Sequence, residues 1–218
     1  MLVESGRTIL PISELWHSPD QTAWDAALAR YWDFVQPRNL ELERSLDSIE
    51  LERIRGFDAC RWYQFLLGEY FRWKYTAPNR YATTTRELKR YRTDVELEQL
   101  DGIRQRILNL DLTDVRGALK TACEIRGLGT AGASGLLALL YPHTFGTVDQ
   151  FTVKALRQIP DLPEADTVRD MNPDSLSVKD GALLIEIMQR KAAANNRIVC
   201  TQTWTPRKID KVLWTYGR

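Results

Sequence analysis

The sequence predicts an all-α fold, and three observations carry that prediction. Apolar residues recur every three or four positions along most of the 218 residues, which is the period of one helix face. The stretch 57–72 is apolar on nearly all sides, as in a helix that lies in the middle of a bundle. The chain has no strand-rich region and no Asn-Gly hairpin signal. With 44% hydrophobic residues, it is long enough to bury a real core.

The first half of the chain predicts helices that begin and end at recognisable residues. Trp24 and Tyr31 share a face of the first, which ends before Pro37, and Gly56 ends the second. A loop is expected at 75–80, where proline and asparagine follow the apolar helix. The predicted helices span 21–35, 40–55, 57–72, 85–91 and 95–109.

The second half predicts a pair of helices around a glycine turn, and then three more. Asp111 or Thr113 is a candidate N-cap for the first of the pair, and Asp149 opens a later helix. Three prolines make 160–178 an irregular segment. The predicted helices span about 112–125, 131–141, 149–158, 180–194 and 206–215.

Composition excludes several classes of protein. The net charge is only +1, whereas a general nucleic-acid coat is strongly basic. Cys60, Cys123 and Cys200 form no CxxC pair, so we expect buried free thiols and no iron–sulfur cluster. With two histidines, the chain lacks the ligands of common zinc enzymes. No cofactor is expected, and a monovalent cation at the glycine turn is the alternative left open.

The lengths of the apolar runs in the sequence predict the cellular location. The N-terminus carries Glu4 and Arg7 without a long apolar run, unlike a signal peptide. The apolar run 136–141 is too short to span a bilayer. We therefore expect a soluble, cytoplasmic, nucleoid-associated monomer.

The glycine turn, Gly127-Leu128-Gly129, is the most informative segment of the chain. Glycine lets the backbone approach another molecule closely, and the second helix begins there with unpaired N–H groups. Those donors, at Gly129, Thr130 and Ala131, can hold one phosphate without basic side chains. Many such turns merely join two helices, and packing is the alternative interpretation.

Asp149 follows Gly129 by 20 positions, and a short helix with a returning loop can bring it back to the turn. If the turn holds a phosphate of a DNA strand, a carboxylate there would face the deoxyribose that carries this phosphate. Loss of a base passes through an oxocarbenium-like sugar, which a fixed anion stabilises. Asp is also among the best N-caps, so a purely structural role is the alternative.

Residues 112–158 resemble the helix-hairpin-helix superfamily of DNA glycosylases. The family pattern is Leu-Pro-Gly-Val-Gly, a helix, then an apolar residue and Asp, with a basic residue in the next helix. This chain has 125–129 as Ile-Arg-Gly-Leu-Gly, then Val148-Asp149 and Lys154. The closing segment 209–218 is similar to the last helix of some members.

The resemblance implies a two-lobed helical bundle with a DNA-binding cleft between the lobes. The chain, 1–218, would be a single glycosylase-like unit. A central lobe would comprise about 57–145, including the helix-hairpin-helix at 112–141, and the second lobe about 1–56 plus 146–218. Asp149 would be the catalytic acid, and Gly127, Gly129, Thr130, Ala131 and Lys154 would bind phosphate. The implied partner is double-stranded DNA that contains a damaged or modified base.

Two departures from the family pattern change the expected chemistry. Members that also cut the strand carry a lysine where this chain has Ala131, so we expect hydrolysis that leaves an abasic site. Lys120 and Lys154 are the alternatives considered for that missing amine. The loop before the acid, 146–148, lacks the family's frequent proline, which puts its geometry in doubt.

A glycosylase must stack the extruded base in a pocket or fill the gap that the base leaves. The candidates lie after the apolar helix and near the C-terminus: Trp73, Lys74, Tyr75, Arg80, Trp204 and Arg207. A packed aromatic cluster beside a solvated basic loop is the alternative. For the whole chain, the alternatives are a non-catalytic DNA-binding protein and a helical scaffold.

Overall fold

The computed structural model describes residues 10–218 as a helical protein without β-strands. Glu4, Arg7 and the start of the 1–56 segment lie outside the described residues. The prediction of an all-α fold is confirmed for the described part of the chain. No helix there is long and apolar enough to cross a membrane.

Fourteen α-helices make up residues 10–218, with a 3₁₀ turn at Pro37–Asn39 and a π-helical turn at Leu66–Tyr70. The helices are α1 Ile12–Leu15, α2 Gln21–Phe34, α3 Leu40–Asp47, α4 Leu51–Arg55, α5 Ala59–Phe65, α6 Phe71–Lys74, α7 Pro78–Leu88, α8 Asp94–Leu108, α9 Val115–Cys123, α10 Thr130–Leu140, α11 Gln150–Leu156, α12 Ala165–Asp170, α13 Val178–Val199 and α14 Pro206–Gly217.

The apolar stretch predicted at 57–72 forms α5, the π-helical turn and α6 in direct succession. Asp58 starts it by accepting a hydrogen bond from the Arg61 amide at 2.7 Å. Trp62, Tyr70 and Phe71 are almost completely buried along it. A π-helical turn shifts the register of the side chains that follow it, and such turns are frequent at functional sites. Trp73 and Lys74, at the end of α6, lie in the candidate site.

Four predictions about elements are wrong. The segment 40–55 is two helices, because the Ser48 hydroxyl bonds back to the Arg44 carbonyl where α3 ends. α7 starts at Pro78, a favoured first residue of a helix. Asp114, rather than Asp111 or Thr113, caps α9 through the Gly117 amide at 2.8 Å. α12 interrupts the segment 160–178.

The three cysteines are not all buried, contrary to expectation. Cys60 and Cys200 are exposed and Cys123 is half-buried. Cys200 ends α13 in the left-handed region, at φ 50°, so its side chain leaves the helix at the surface. All three are free thiols.

The packing brings the two ends of the chain together. α14 packs against α2, α11 and α13, while α9 packs against α10, α8 and α13. Trp24 of α2 meets Trp204 edge-on at 5.4 Å between ring centroids, and the Tyr216 hydroxyl donates to the Leu10 carbonyl at 2.8 Å. One hydrophobic core runs from Ile12 to Leu213. These contacts fix the position of the loop between α10 and α11.

Candidate functional site

The turn between α9 and α10 requires glycine at one position. Gly127 has φ +92°, a conformation that L side chains rarely adopt. A Cβ there would lie 2.4 Å from the Thr84 carbonyl oxygen. Gly129 has an ordinary φ of −92° and open space around its Cα, so neither backbone conformation nor close packing requires glycine at this position. The expectation of a glycine-dependent bend is met by Gly127 alone.

α10 begins without a side-chain cap, unlike most of its neighbours. Gly129 occupies the N-cap position, and the first turn contains no acidic residue. Gly129 is exposed and Ala131 is half-buried, whereas Thr130 is buried. The first N–H groups of a helix have no partner within it and carry the positive end of its dipole. This end of α10 can therefore accept an anion.

Two tyrosine hydroxyls form hydrogen bonds with the backbone of the turn. The Tyr75 hydroxyl donates to the Gly127 carbonyl at 3.1 Å. The Tyr91 hydroxyl accepts from the Arg126 amide at 3.2 Å, and the Arg126 guanidinium pairs with Glu96 at 3.0 Å. Burial raises the pKa of Tyr75, so its hydroxyl stays protonated. These contacts within the protein hold the bend in place.

Small residues on α10 admit the side chains of α6 and the residues beside it. A Cβ on Gly132 would lie 2.4 Å from the Tyr75 hydroxyl oxygen. A Cβ on Gly135 would lie 2.9 Å from the Tyr70 hydroxyl oxygen and 3.2 Å from Cδ of Lys74. The stem of Lys74 therefore passes directly over α10.

Asp149 is the N-cap of α11, as predicted. One carboxylate oxygen, Oδ1, accepts from the amides of Phe151 at 2.9 Å and Thr152 at 3.2 Å. The preceding residue, Val148, is tied to α10, since its amide donates to the Ser134 hydroxyl at 2.9 Å. The second oxygen, Oδ2, lies 3.9 Å from the Lys74 amine. The cap thus leaves one oxygen directed at a buried cation.

Lys74 is the closest basic group to Asp149 in the described part of the chain. Its side chain is 9% exposed, against 21% for Asp149. Burial lowers the pKa of Lys74, and the Asp149 carboxylate opposes this only in part. A larger share of its amine is therefore neutral than in an exposed lysine.

Asp149 and Lys74 open onto one cavity of about 180 Å³. Its walls combine five aromatic rings with a larger number of polar and charged side chains. The lining comes from four segments, 31–43, 73–76, 147–152 and 207–218: Tyr31, Phe34, Val35, Gln36, Asn39, Glu43, Trp73, Lys74, Thr76, Thr147, Asp149, Phe151, Thr152, Arg207, Asp210, Trp214 and Arg218.

The cavity wall contains a buried network of charges. Glu43 accepts from the Tyr31 hydroxyl at 2.5 Å and the Trp73 indole at 2.5 Å, and it pairs with Arg207 at 3.4 Å. Arg207 also pairs with Asp210 at 2.9 Å. Burial raises the pKa of Asp210, while the Arg207 guanidinium and nearby hydrogen bonds oppose that shift.

The same network reaches the loop before Asp149. The Asp210 carboxylate accepts from the Thr147 amide at 2.6 Å. Gly146 packs so tightly that a Cβ would lie 2.4 Å from the Met188 sulfur and 2.8 Å from the Pro206 carbonyl oxygen. A glycine and a buried carboxylate thus hold the loop that lacks the family's usual proline.

The structure brings together some of the predicted site residues. Trp73, Lys74 and Arg207 line the cavity with Asp149. Lys154 is exposed on α11, with its amine 5.4 Å from the ring centroid of Phe151, another cavity residue.

Three of the residues predicted for the base pocket or the gap left by the base do not line this cavity. Tyr75 turns toward the Gly127 carbonyl behind the bend. Arg80 is exposed on α7. Trp204 packs in the core against Trp24 and donates to Gln21 at 2.9 Å. Tyr75 and Trp204 are each held by a partner distant in sequence.

Sequence reasoning missed several cavity residues, Glu43 and Asp210 above all. Glu43 belongs to an amphipathic charged segment, where most carboxylates are solvated, and no local signal distinguishes it. Asp210 stands three positions after Arg207, which is the spacing of an ion pair on one helix face. That spacing was a usable signal.

Comparison of the chain with protein-family models, curated proteins and solved structures gave no match. Among residues 10–218, no group of three or more His, Cys, Asp or Glu side chains could hold a metal ion.

Proposed function

We propose that this chain is a DNA glycosylase of the helix-hairpin-helix type, with α9, the glycine turn and α10 as the hairpin. One observation carries the proposal: Asp149 lines an aromatic-walled cavity beside α10 with one carboxylate oxygen not used by its cap. In this proposal the chain acts on double-stranded DNA with a damaged or modified base, in repair or in defence against modified phage DNA.

The uncapped start of α10 anchors the DNA backbone in this mechanism. Its N–H groups and dipole hold a phosphate without a basic coat, which agrees with a net charge of +1. Lys154 adds a charge on the exposed face of α11.

The extruded base enters the cavity of about 180 Å³, where Trp73, Phe151 and Trp214 offer aromatic surfaces. Its walls come from 73–76 in the proposed central lobe and from 31–43, 147–152 and 207–218 in the proposed second lobe, which supports a two-lobed arrangement with the cleft between.

Asp149 performs the chemistry of base release. Its Oδ2 oxygen stabilises the positive charge that develops at C1′ as the N-glycosidic bond breaks. Water then attacks C1′, and the product is an abasic site. Ala131 offers no amine at the hairpin, so base release is hydrolytic.

Asp149→Asn tests the assignment of the acid. We expect base release from a panel of modified duplexes, measured as alkali-labile breaks, to fall about 100-fold or more, because the anion at C1′ is lost. Asparagine is an equally good N-cap, so α11 should remain intact.

Asp58→Asn is the matched control. Asp58 also caps a helix through a backbone amide, but it lies outside the cavity. We expect its base release to equal that of the wild type. Binding to every duplex without base release would favour instead a non-catalytic DNA-binding protein, in which Asp149 is only a cap. Equal base release by Asp149→Asn would refute the assigned role.

A further inference from the structure

The Lys74 amine occupies an unusual position for a lysine. Its stem crosses Gly135, its side chain is 9% exposed, and it lines the cavity beside Asp149. Its one ion pair among the described residues is to Asp149, at 3.9 Å. An amine at the edge of a cavity, beside a carboxylate that can take its proton, has the arrangement of a nucleophile with its base.

The charges around Lys74 do not fully compensate its burial. Burial and the Arg207 guanidinium lower the pKa of Lys74, whereas the carboxylates of Asp149, Asp210 and Glu43 raise it. The net shift is downward, which increases the neutral, reactive fraction of the amine near neutral pH.

We propose that Lys74 is an amine nucleophile that captures the abasic sugar and cuts the strand. This inference rests on the proposed function and gives the chain a second activity after base release. The hairpin lacks an amine at Ala131, and Lys74 supplies one from α6, 3.9 Å from the Asp149 carboxylate.

The steps balance without an oxidant or a metal. The neutral amine adds its electron pair to the C1′ aldehyde of the ring-opened sugar, and loss of one water gives an imine. Asp149 takes the amine proton and returns it to the departing hydroxyl. The Asp149 carboxylate then takes the C2′ proton, and a C2′–C3′ double bond forms as the 3′ phosphate leaves with its electron pair. Hydrolysis of the imine restores Lys74.

Borohydride trapping on a duplex with a synthetic abasic site tests the proposal without knowledge of the excised base. We expect the wild-type protein to form a covalent adduct, because borohydride reduces the imine to a stable secondary amine. Lys74→Gln should reduce the adduct at least tenfold while retaining affinity for the duplex. Lys120→Gln is the matched control, since Lys120 is exposed on α9 and should trap as the wild type does.

The outcomes separate this inference from the proposed function. Base release or duplex binding by the wild type without any adduct overturns the role of Lys74 alone. An undiminished adduct from Lys74→Gln assigns the amine elsewhere and also overturns it. A wild-type protein that neither binds the abasic duplex nor releases any base overturns both proposals.

Discussion

Lys74 is a buried amine whose only ion pair in the described chain is at 3.9 Å, a distance too long for a direct hydrogen bond. Removing an ammonium group from water is costly unless a partner compensates it closely. Asp149, in contrast, is satisfied by two backbone amides without Lys74. The stability of the fold therefore does not depend on the Lys74 amine, whose burial costs more than its ion pair returns.

Lys74→Met should accordingly stabilise the protein. We expect the free energy of unfolding at pH 7 to rise by about 1 kcal/mol or more, since an apolar side chain replaces a poorly paired buried charge. Denaturant titration measures the change. A loss of stability of similar size would show that the ion pair to Asp149 is structural.

The pH dependence provides a second check on the same variant. The pKa of Lys74 is lowered in the folded state from its ordinary 10.5, so the unfolded chain binds more protons between the two values. The contribution of Lys74 to stability therefore rises with pH through that interval, and below it the full cost of the charge is present. Lys74→Met should lack this alkaline rise.

Local residue roles were predictable, and distant partners were not. The capping role of Asp149 depends on amides two and three positions away, so its type and position sufficed to predict it. The partner of Lys74 lies 75 positions further along the chain, and nothing near Lys74 in the sequence indicates it. Its candidacy for the base pocket came only from its place after the apolar helix.

At the scale of elements, α10 combines an N-terminus that lacks a side-chain cap with an exposed glycine at the N-cap position. Gly129→Asp and Gly129→Asn should both fold, because Gly129 has an N-cap conformation and open space. We expect Gly129→Asp to lose duplex affinity at least tenfold more than Gly129→Asn, because only the aspartate places an anion where the phosphate binds. Fluorescence anisotropy with labelled duplex measures both.

The comparison of two capping residues separates charge from folding. Both variants should unfold at the same temperature as the wild type or above it, since each adds a cap that α10 lacks. Equal affinity of the two variants, close to that of the wild type, would mean that α10 does not bind phosphate and that the glycine turn serves packing.

Elements with strong apolar periodicity were predicted well, and weakly buried ones were not. α2, α8 and α10 lie within a residue or so of their predicted limits. α7 buries only Thr85 and Leu88, so its period was too faint to extend the prediction back to Pro78. The break after α3 depends on a serine side chain that competes with the backbone, which periodicity does not register.

At the scale of the whole molecule, buried charges join the two ends of the chain. Arg207 and Lys211 of α14 reach Glu43 and Asp47 of α3, with Lys211 2.6 Å from Asp47. Sequence predicted the helices involved but not this pairing, because an ion pair across more than 160 positions leaves no local pattern. The network gives the cavity a fixed charged wall.

Arg207→Met should destabilise the whole molecule by about 3–5 kcal/mol, because it leaves Glu43 and Asp210 buried without their cation. Lys208→Met is the control: Lys208 is half-buried, its amine donates to the Thr203 carbonyl, and its loss should change stability little. Burial already raises the pKa of Asp210, and removal of Arg207 raises it further. The folded variant then binds more protons than the unfolded chain, so its stability falls as pH rises. The penalty measured by denaturant titration should therefore be greatest at neutral pH and shrink toward acidic pH. A penalty that stays constant from neutral to acidic pH would instead indicate that Arg207 stabilises the fold through packing against Trp73, whose ring centroid lies 5.4 Å from its guanidinium carbon.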